Sequence, residues 1–194
     1  MIVRSHAMPV AFALLITAFP LAAQQVNIAA AVPVAAPVGS GVRNLTFGAI
    51  IPVMGQVLDV DVVAAAAPLN GTVQSGEFRF DVTGSSGLEF LMTMPAALTS
   101  GILPPLAVSW SGGQYGGYCV TSGGTSCVLT NFDPSASLVR VCQQTRPNGT
   151  CHPGRVFPPA SELGIFIGGR LSVPPTARAA VYSGTITLTI VQVY

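Results

Sequence analysis

The chain has 194 residues, of which only 8% are charged, and its eight basic residues, all arginine, against seven acidic ones give a formal net charge of +1 at pH 7. Binding to nucleic acid or to an acidic membrane requires clustered basic side chains, so this composition argues against both. The 21 glycines and 16 prolines lie in a chain rich in Val, Thr, Ile and Phe. This mixture favours many short strands joined by turns, and we expect almost no helix after the N-terminal segment.

Residues 1–23 have the pattern of a secretory signal peptide. Arg4 is followed by an apolar run over residues 10–21 and then by small residues. The run is short for a transmembrane span and contains Pro20, so we predict cleavage, a single exported domain of residues 24–194 and no integral membrane span; the alternative is an uncleaved membrane anchor. Loss of Arg4 leaves seven arginines and seven acidic residues. A neutral mature chain has little self-repulsion and can associate readily.

The first predicted strand lies in residues 25–38, where apolar residues alternate with others. Pro33 and Pro37 fall in this run, and proline cannot donate to a β-ladder. We therefore expect an edge strand, or one whose N–H groups face outward. Its apolar positions are Val26, Ile28, Ala30, Val32 and Val34.

Further short strands are bounded by glycine, proline and Asn-Gly turn sequences. The clearest inward and outward alternation in the middle of the chain is in residues 77–83, where we expect Arg79 to lie between two acidic side chains. Its predicted core face is Phe78, Phe80 and Val82, and its predicted solvent face is Glu77, Arg79, Asp81 and Thr83. Other strands are predicted within residues 42–51, 56–63, 88–94, 106–111, 138–142 and 163–173, the last with a bulge at Gly168-Gly169.

The most regular pattern is at the end, in residues 180–194. Isoleucine and leucine alternate there with threonine, which predicts a half-buried strand. A strand placed last cannot be covered by later residues, so we expect it to lie between earlier strands. Some nine or ten such strands at regular spacing are typical of an all-β sandwich. The positions that we single out in the terminal strand are Ile186, Leu188, Ile190 and Tyr194.

The four cysteines form two close pairs, and export would permit disulfides. Cys119 and Cys127 flank a Ser-Gly-Gly sequence, where a three-residue hairpin loop would place them opposite each other. Cys142 and Cys151 flank an Arg-Pro-Asn-Gly turn sequence whose register is left open. These two bridges are the favoured connectivity of the three that four cysteines allow, within a cysteine-containing insertion around residues 112–155. The spacings are not paired CxxC, so we expect no zinc site and no cofactor.

Two groups of residues are candidates for chemistry. Asp59 and Asp61 could form half of a calcium site, but a solvated strand face is the simpler interpretation because no further ligands can be named. His152 is the one histidine left after cleavage, and no GxSxG sequence accompanies it. We therefore expect no enzyme, and a secreted hydrolase that uses His152 is kept as a third hypothesis.

Three aromatic residues and three sequons have alternative interpretations. Trp110, Tyr115 and Tyr118 lie near a glycine-rich segment and could stack on a sugar, although a core tryptophan with two tyrosines at turns is the simpler account. Turn chemistry explains the two Asn-Gly sequences without glycans. The N-x-T sequences begin at Asn44, Asn70 and Asn148.

Several segments together resemble an uncharacterised family of exported bacterial pilin-like domains, similar to spore coat U proteins and archaic chaperone-usher pilins. That family has an LxFGxIxP sequence and a C-terminal GGxLxVP…YxGTxxxTxxY sequence, and the resemblance covers most of the mature chain. The cysteine-containing segment is not part of its pattern, and this chain lacks the leading cysteine of many spore coat U domains. The matching segments are Asn44-Leu45-Thr46-Phe47-Gly48 with Ile50-Ile51-Pro52, residues 76–84, Gly168-Gly169-Arg170-Leu171-Ser172-Val173-Pro174, and Tyr182-Ser183-Gly184-Thr185 with Tyr194.

The resemblance implies an immunoglobulin-like antiparallel sandwich in the periplasm, at the surface or in the medium of a Gram-negative bacterium. In such pilins one strand is missing, and the N-terminal segment of a neighbouring subunit supplies it, so residues 25–34 become a candidate donor strand. The implied partners are further pilin-like subunits, with a periplasmic chaperone and an usher. The leading hypothesis is therefore a structural surface subunit. The alternative is a self-contained adhesin-like module whose disulfide loop recognises a glycan or a protein.

Overall fold

The strands of this protein are short, and they are separated by turns rich in glycine and proline. A computed structural model describes residues 25–30, 39–47, 56–62, 74–123, 127–136, 138–178 and 180–194. This part of the chain contains thirteen β-strands and no helix. They are β1 (Gln25–Ala30), β2 (Gly39–Arg43), β3 (Gln56–Val60), β4 (Gly76–Asp81), β5 (Gly87–Thr93), β6 (Ala97–Ser100), β7 (Leu103–Ser109), β8 (Gly116–Ser122), β9 (Thr130–Phe132), β10 (Val139–Cys142), β11 (Ser161–Ile167), β12 (Gly169–Val173) and β13 (Thr185–Val193).

The described strands form three sheets, in the orders β1-β13-β5-β10, β2-β4-β11-β8-β9 and β3-β12-β7-β6. Every ladder is antiparallel except the one between β1 and β13, which is parallel. The prediction of an all-β sandwich is thereby confirmed. The strand number exceeds nine or ten for two reasons. Residues 163–173 contribute to both β11 and β12, which lie in different sheets, and β6 and β9 fall outside the predicted runs.

Gly168 is the residue at which the second and third sheets join. Strand β11 ends at Ile167 and β12 begins at Gly169, and β8 and β7 run antiparallel to them as their respective partners. A side chain at position 168 would lie far inside van der Waals contact with the carbonyl oxygen of Val60 and 2.9 Å from its carbonyl carbon. The Gly168 N–H also donates to the carbonyl oxygen of Tyr115 at 2.7 Å. Only glycine permits this close approach of three backbone segments.

The core is built from the apolar rows of all three sheets. Its aromatic contacts include an edge-to-face pair of Phe90 and Phe132, whose ring centroids are 5.6 Å apart. Full burial of each such Leu, Ile, Val or Phe side chain contributes about 1.5–3 kcal/mol, which is why alternating sequences of this kind form stable strands. The largest fully buried side chains are Phe78, Phe80, Phe90, Leu45, Leu88, Leu163, Ile165, Ile167, Leu171, Ile186, Leu188 and Ile190.

The cysteine-containing segment belongs to the sheets themselves. Residues 112–155 supply β8, β9 and β10, of which β8 pairs with β11 and β10 pairs with β5. Two disulfides, Cys119–Cys127 and Cys142–Cys151, are present, and both favoured pairings are confirmed. The ladder of β8 with β9 sets Tyr118 opposite Thr130, two residues away from the register of the predicted hairpin. The intervening turn, residues 124–126, lies outside the described residues.

Candidate functional site

The first of the described strands lies beside the last. Strand β1 pairs in parallel with β13 over six residues, from Gln25 opposite Thr185 to Ala30 opposite Ile190. In this register Val26 is opposite Ile186 and Ile28 is opposite Leu188. Strand β1 comes first in its sheet, so β13 is its one partner among the described strands. The other predicted positions of this segment, Val32 and Val34, lie outside the described residues, as does the predicted signal peptide.

Strand β13 is the second strand of that sheet, between β1 and β5. Its apolar row, Ile186, Leu188 and Ile190, is at most 1% exposed, whereas the two threonines between them are partly exposed. The alternation in the sequence therefore corresponds to one core face and one outer face. The ladder to β5 shifts register between Ile190 and Gln192, and the extra residue, Val191, is 43% exposed. This β-bulge follows immediately after the last residue that β1 pairs with.

Tyr194 fixes the end of β13 to the start of β5. Its N–H donates to the carbonyl oxygen of Gly87, and its own carbonyl oxygen accepts from the N–H of Ser86, both at 2.8 Å. Its phenol donates to Glu89 Oε1 at 2.6 Å. These three bonds hold β13 in place against β5 independently of β1.

Glu89 is a buried carboxylate on β5, with 5% of its surface exposed. Arg140 Nε on the neighbouring strand β10 donates to Glu89 Oε1, and Arg140 Nη1 donates to the carbonyl oxygen of Gly149 at 2.5 Å. Burial opposes ionisation of Glu89, but the hydrogen bonds from Tyr194 and Arg140 outweigh it and hold the pKa of this carboxyl below its usual value. The cluster links β5, β10 and β13 on the outer face of the first sheet.

A second ionic cluster corrects the prediction that Glu77 faces water. Glu77 is only 5% exposed because arginines cover it: Arg43 Nη2 lies 3.2 Å from its Oε2, and Arg79 Nε lies 2.6 Å from its Oε1. Arg79 also lies 3.2 Å from Glu162 Oε1, so its second acidic partner is Glu162 of β11 and not the predicted Asp81. The cause is pairing of β4 with β2 and β11, which local alternation does not reveal.

Asp59 is engaged within the protein. Arg170 Nε and the Tyr115 phenol donate to its Oδ1 at 2.8 Å and 2.5 Å, and these bonds hold the pKa of the Asp59 carboxyl below its usual value. Burial and the bond to Asp59 raise the pKa of Tyr115. Asp61 follows the end of β3. Within the part of the chain that the structure describes, no group of three or more His, Cys, Asp or Glu residues could hold a metal ion.

The candidate sugar-stacking residues contribute to the core. Tyr115 is 2% exposed, and Trp110 is 6% exposed with its Nε1 donating to the carbonyl oxygen of Pro95 at 2.6 Å. Tyr118 is partly buried, and its ring centroid lies 6.3 Å from that of Phe132. Trp110 and Tyr115 therefore offer no open ring face to a ligand.

The remaining candidates that the structure describes lie outside the strands. His152 Nδ1 accepts a hydrogen bond from the N–H of Gly154 at 3.2 Å. Asn148 Oδ1 accepts from the N–H and the hydroxyl of Thr150, at 3.2 Å and 2.7 Å, so this sequon lies in a hydrogen-bonded turn. Asn44 is exposed just after β2, and Asn70 lies outside the described residues.

Fold and site together define an all-β sandwich with two disulfides and an N-terminal strand at a sheet edge. No helix in the described ranges is long and apolar enough to cross a membrane. Comparison with known protein families, with curated proteins and with solved structures finds no match to this chain. The ionic clusters at Glu77 and Glu89 escaped prediction. For Glu89 a usable signal was present, because it is the one charged residue in the otherwise largely apolar strand β5, whereas β4 also carries Arg79 and Asp81.

Proposed function

We propose that this protein is an exported structural subunit of the bacterial cell surface that assembles by donating its N-terminal strand to another subunit. The observation that carries the proposal is the position of β1, at the edge of a sheet and paired in a ladder with β13 alone among the described strands. A strand held by one ladder at an edge is the part of a sandwich that can leave with least disruption.

Departure of β1 would uncover the edge of β13. The N–H and C=O groups that face β1 over residues 185–190 would lose their partners, directly beside the buried apolar row of β13. Such an edge is a template for another extended segment, which gains main-chain hydrogen bonds by binding there. Tyr194, Gly87 and Ser86 keep β13 attached to β5 meanwhile, so the acceptor stays ordered.

Compartment and partners follow from the same proposal. Two disulfides suit a chain that folds in an oxidising environment, such as the periplasm of a Gram-negative bacterium. The resemblance of its segments to pilin-like domains supports an immunoglobulin-like topology, self-association or association with similar subunits, and a periplasmic chaperone and usher as assembly partners.

The test is whether purified protein forms strand-linked oligomers. In SDS without strong heating, the wild type should show a ladder of oligomers that collapses to monomer on boiling. Deletion of residues 25–34 should abolish the ladder. A sharper pair of variants changes one alternating set to serine and leaves the other: Val26, Ile28 and Ala30 in the test variant, and Gln25, Asn27 and Ala29 in the matched control.

The two sets differ in hydrophobicity at the same strand, so the test variant should lose the ladder and the control should keep it. Only monomers from the wild type, or a ladder that survives deletion of residues 25–34, would show that strand donation is wrong.

A further inference from the structure

We infer that the donated strand binds in parallel to β13 of a second copy of this chain, in the register that β1 occupies within its own chain. The inference rests on the proposed function, since it concerns the contact by which subunits associate. It adds the partner, the direction of the strand and the residues that face each other.

The structure shows that the edge of β13 accepts this sequence in this direction. Gln25 lies opposite Thr185, Asn27 opposite Thr187, and Ala29 opposite Thr189, in a ladder that ends beside the bulge at Val191. A second copy carries the identical strand. Exchange between copies in the same register therefore recovers every pairing of the β1–β13 ladder, so the free energy of the ladder itself is unchanged.

A reversed strand would not have this advantage. An antiparallel ladder has a different hydrogen-bond pattern, so it would have to form pairings that the chain does not make on its own. The exchange in parallel register is opposed mainly by the loss of translational and rotational freedom on association. Charge repulsion between copies adds little to this cost, because the mature chain is predicted to be neutral.

The connection between β1 and β2 sets how close the second copy must be. Strand β1 lies in the first sheet and β2 in the second, and residues 31–38 join them. Eight residues span at most roughly 26–29 Å when extended. A neighbouring acceptor edge within that reach can be occupied without unfolding β2.

Cysteine pairing between two different variants tests the direction. One set of full-length chains carries Gln25→Cys or Ala29→Cys, and the other carries Thr185→Cys or Thr189→Cys. Each donor variant is mixed with each acceptor variant and co-refolded from urea with the native disulfides intact, at a pH well below the ordinary thiol pKa of about 8.5. The mixture is then oxidised, and covalent dimers are separated on a non-reducing gel. Any bond between the two variants joins different molecules.

Parallel pairing predicts dimers for positions 25 with 185 and 29 with 189. The crossed combinations, 25 with 189 and 29 with 185, should give none, because four residues of offset separate the Cα atoms by about 13 Å whereas a disulfide needs about 4.4–6.8 Å. Each variant oxidised alone gives the background of like-with-like dimers. A single chain with both Gln25→Cys and Thr185→Cys is the control for the pairing within one molecule and should form a monomeric cross-link.

The outcomes separate this inference from the proposed function. Dimers only in the crossed combinations would overturn the parallel register and leave strand donation standing. Association without any of the four cross-links would place the contact elsewhere and overturn the inference. If the chains do not associate at all in sedimentation, both the inference and the proposed function are wrong.

Discussion

Replacement of Gly168 by alanine adds one methyl group and should strongly lower the free energy of unfolding of this protein. The added Cβ would meet the carbonyl group of Val60 on β3. Because this group is main chain, it cannot move aside as the end of a flexible side chain would. The backbone at position 168 must shift by roughly 1 Å or more, and it is the point at which β11 becomes β12.

Two contributions set the expected magnitude. Overpacking of a well-packed interior typically costs about 1–3 kcal/mol, and a clash with main chain belongs to the upper end of that range. The shift also strains the hydrogen bond from the Gly168 N–H to Tyr115, whose net contribution is about 0.5–1.5 kcal/mol. A loss of about 3 kcal/mol or more is a large part of the roughly 5–15 kcal/mol that stabilises a typical domain.

Urea unfolding, followed by circular dichroism with the disulfides intact, measures the change. Gly113→Ala is the matched control, because a Cβ at Gly113 meets no atom within 4 Å and its backbone is not in the left-handed region. The control should lie within about 1 kcal/mol of the wild type and can be slightly more stable, since alanine restricts the unfolded chain. If Gly168→Ala is no more destabilising than Gly113→Ala, the close approach to β3 does not exist.

Three further changes test other parts of the fold. Because the pKa of Glu89 is lowered in the folded protein, the stability that Glu89 contributes is complete above the ordinary carboxyl range and is lost as the pH falls through the pKa of the folded state. Tyr194→Phe should remove about 1.5–3 kcal/mol of the free energy of unfolding at neutral pH and should make this loss at acid pH smaller in urea titrations. An unchanged pH profile would show that the hydrogen bond from Tyr194 to Glu89 does not stabilise the fold. Ser161 Oγ is buried without a hydrogen-bond partner among the described residues, so Ser161→Ala should be neutral or stabilise by about 1 kcal/mol in the same assay, and a loss above about 1 kcal/mol would reveal a partner. Replacing Cys142 and Cys151 together by alanine should destabilise by about 2–3 kcal/mol in thermal melting, and no change would mean that this bridge does not constrain the unfolded chain.

Local patterns predicted the faces of strands well. In residues 77–83, Phe78, Phe80 and Val82 are all buried, as their alternation indicated, because every second residue of a strand points to the same side. The turn sequences also brought each cysteine close to its partner. Both predictions depend on residues fewer than ten positions apart, for which local chain geometry is sufficient.

Predictions that depended on distant pairing were less complete. Glu77 was expected at the surface, and nothing within its own strand indicates that Arg43 of β2 covers it. Gly168 was expected to form a bulge within one strand, but the chain passes there from one sheet to another. The deciding contact is with Val60, more than a hundred residues earlier in the chain. Long-range strand order, not local preference, determines both features.

The direction of β1 is the clearest example of this limit, and the register that we infer for a contact between two copies depends on it. Alternation in residues 25–30 indicates which positions share a face, but it is the same when a strand is read in either direction, so it cannot distinguish parallel from antiparallel pairing. The structure supplies the direction by setting Val26 opposite Ile186 and Ala30 opposite Ile190. A subunit that fills its own acceptor edge in this way is a closed monomer. The same register between two copies would link one subunit to the next. Whether the protein is a closed monomer or a polymer is therefore decided by which chain provides β1.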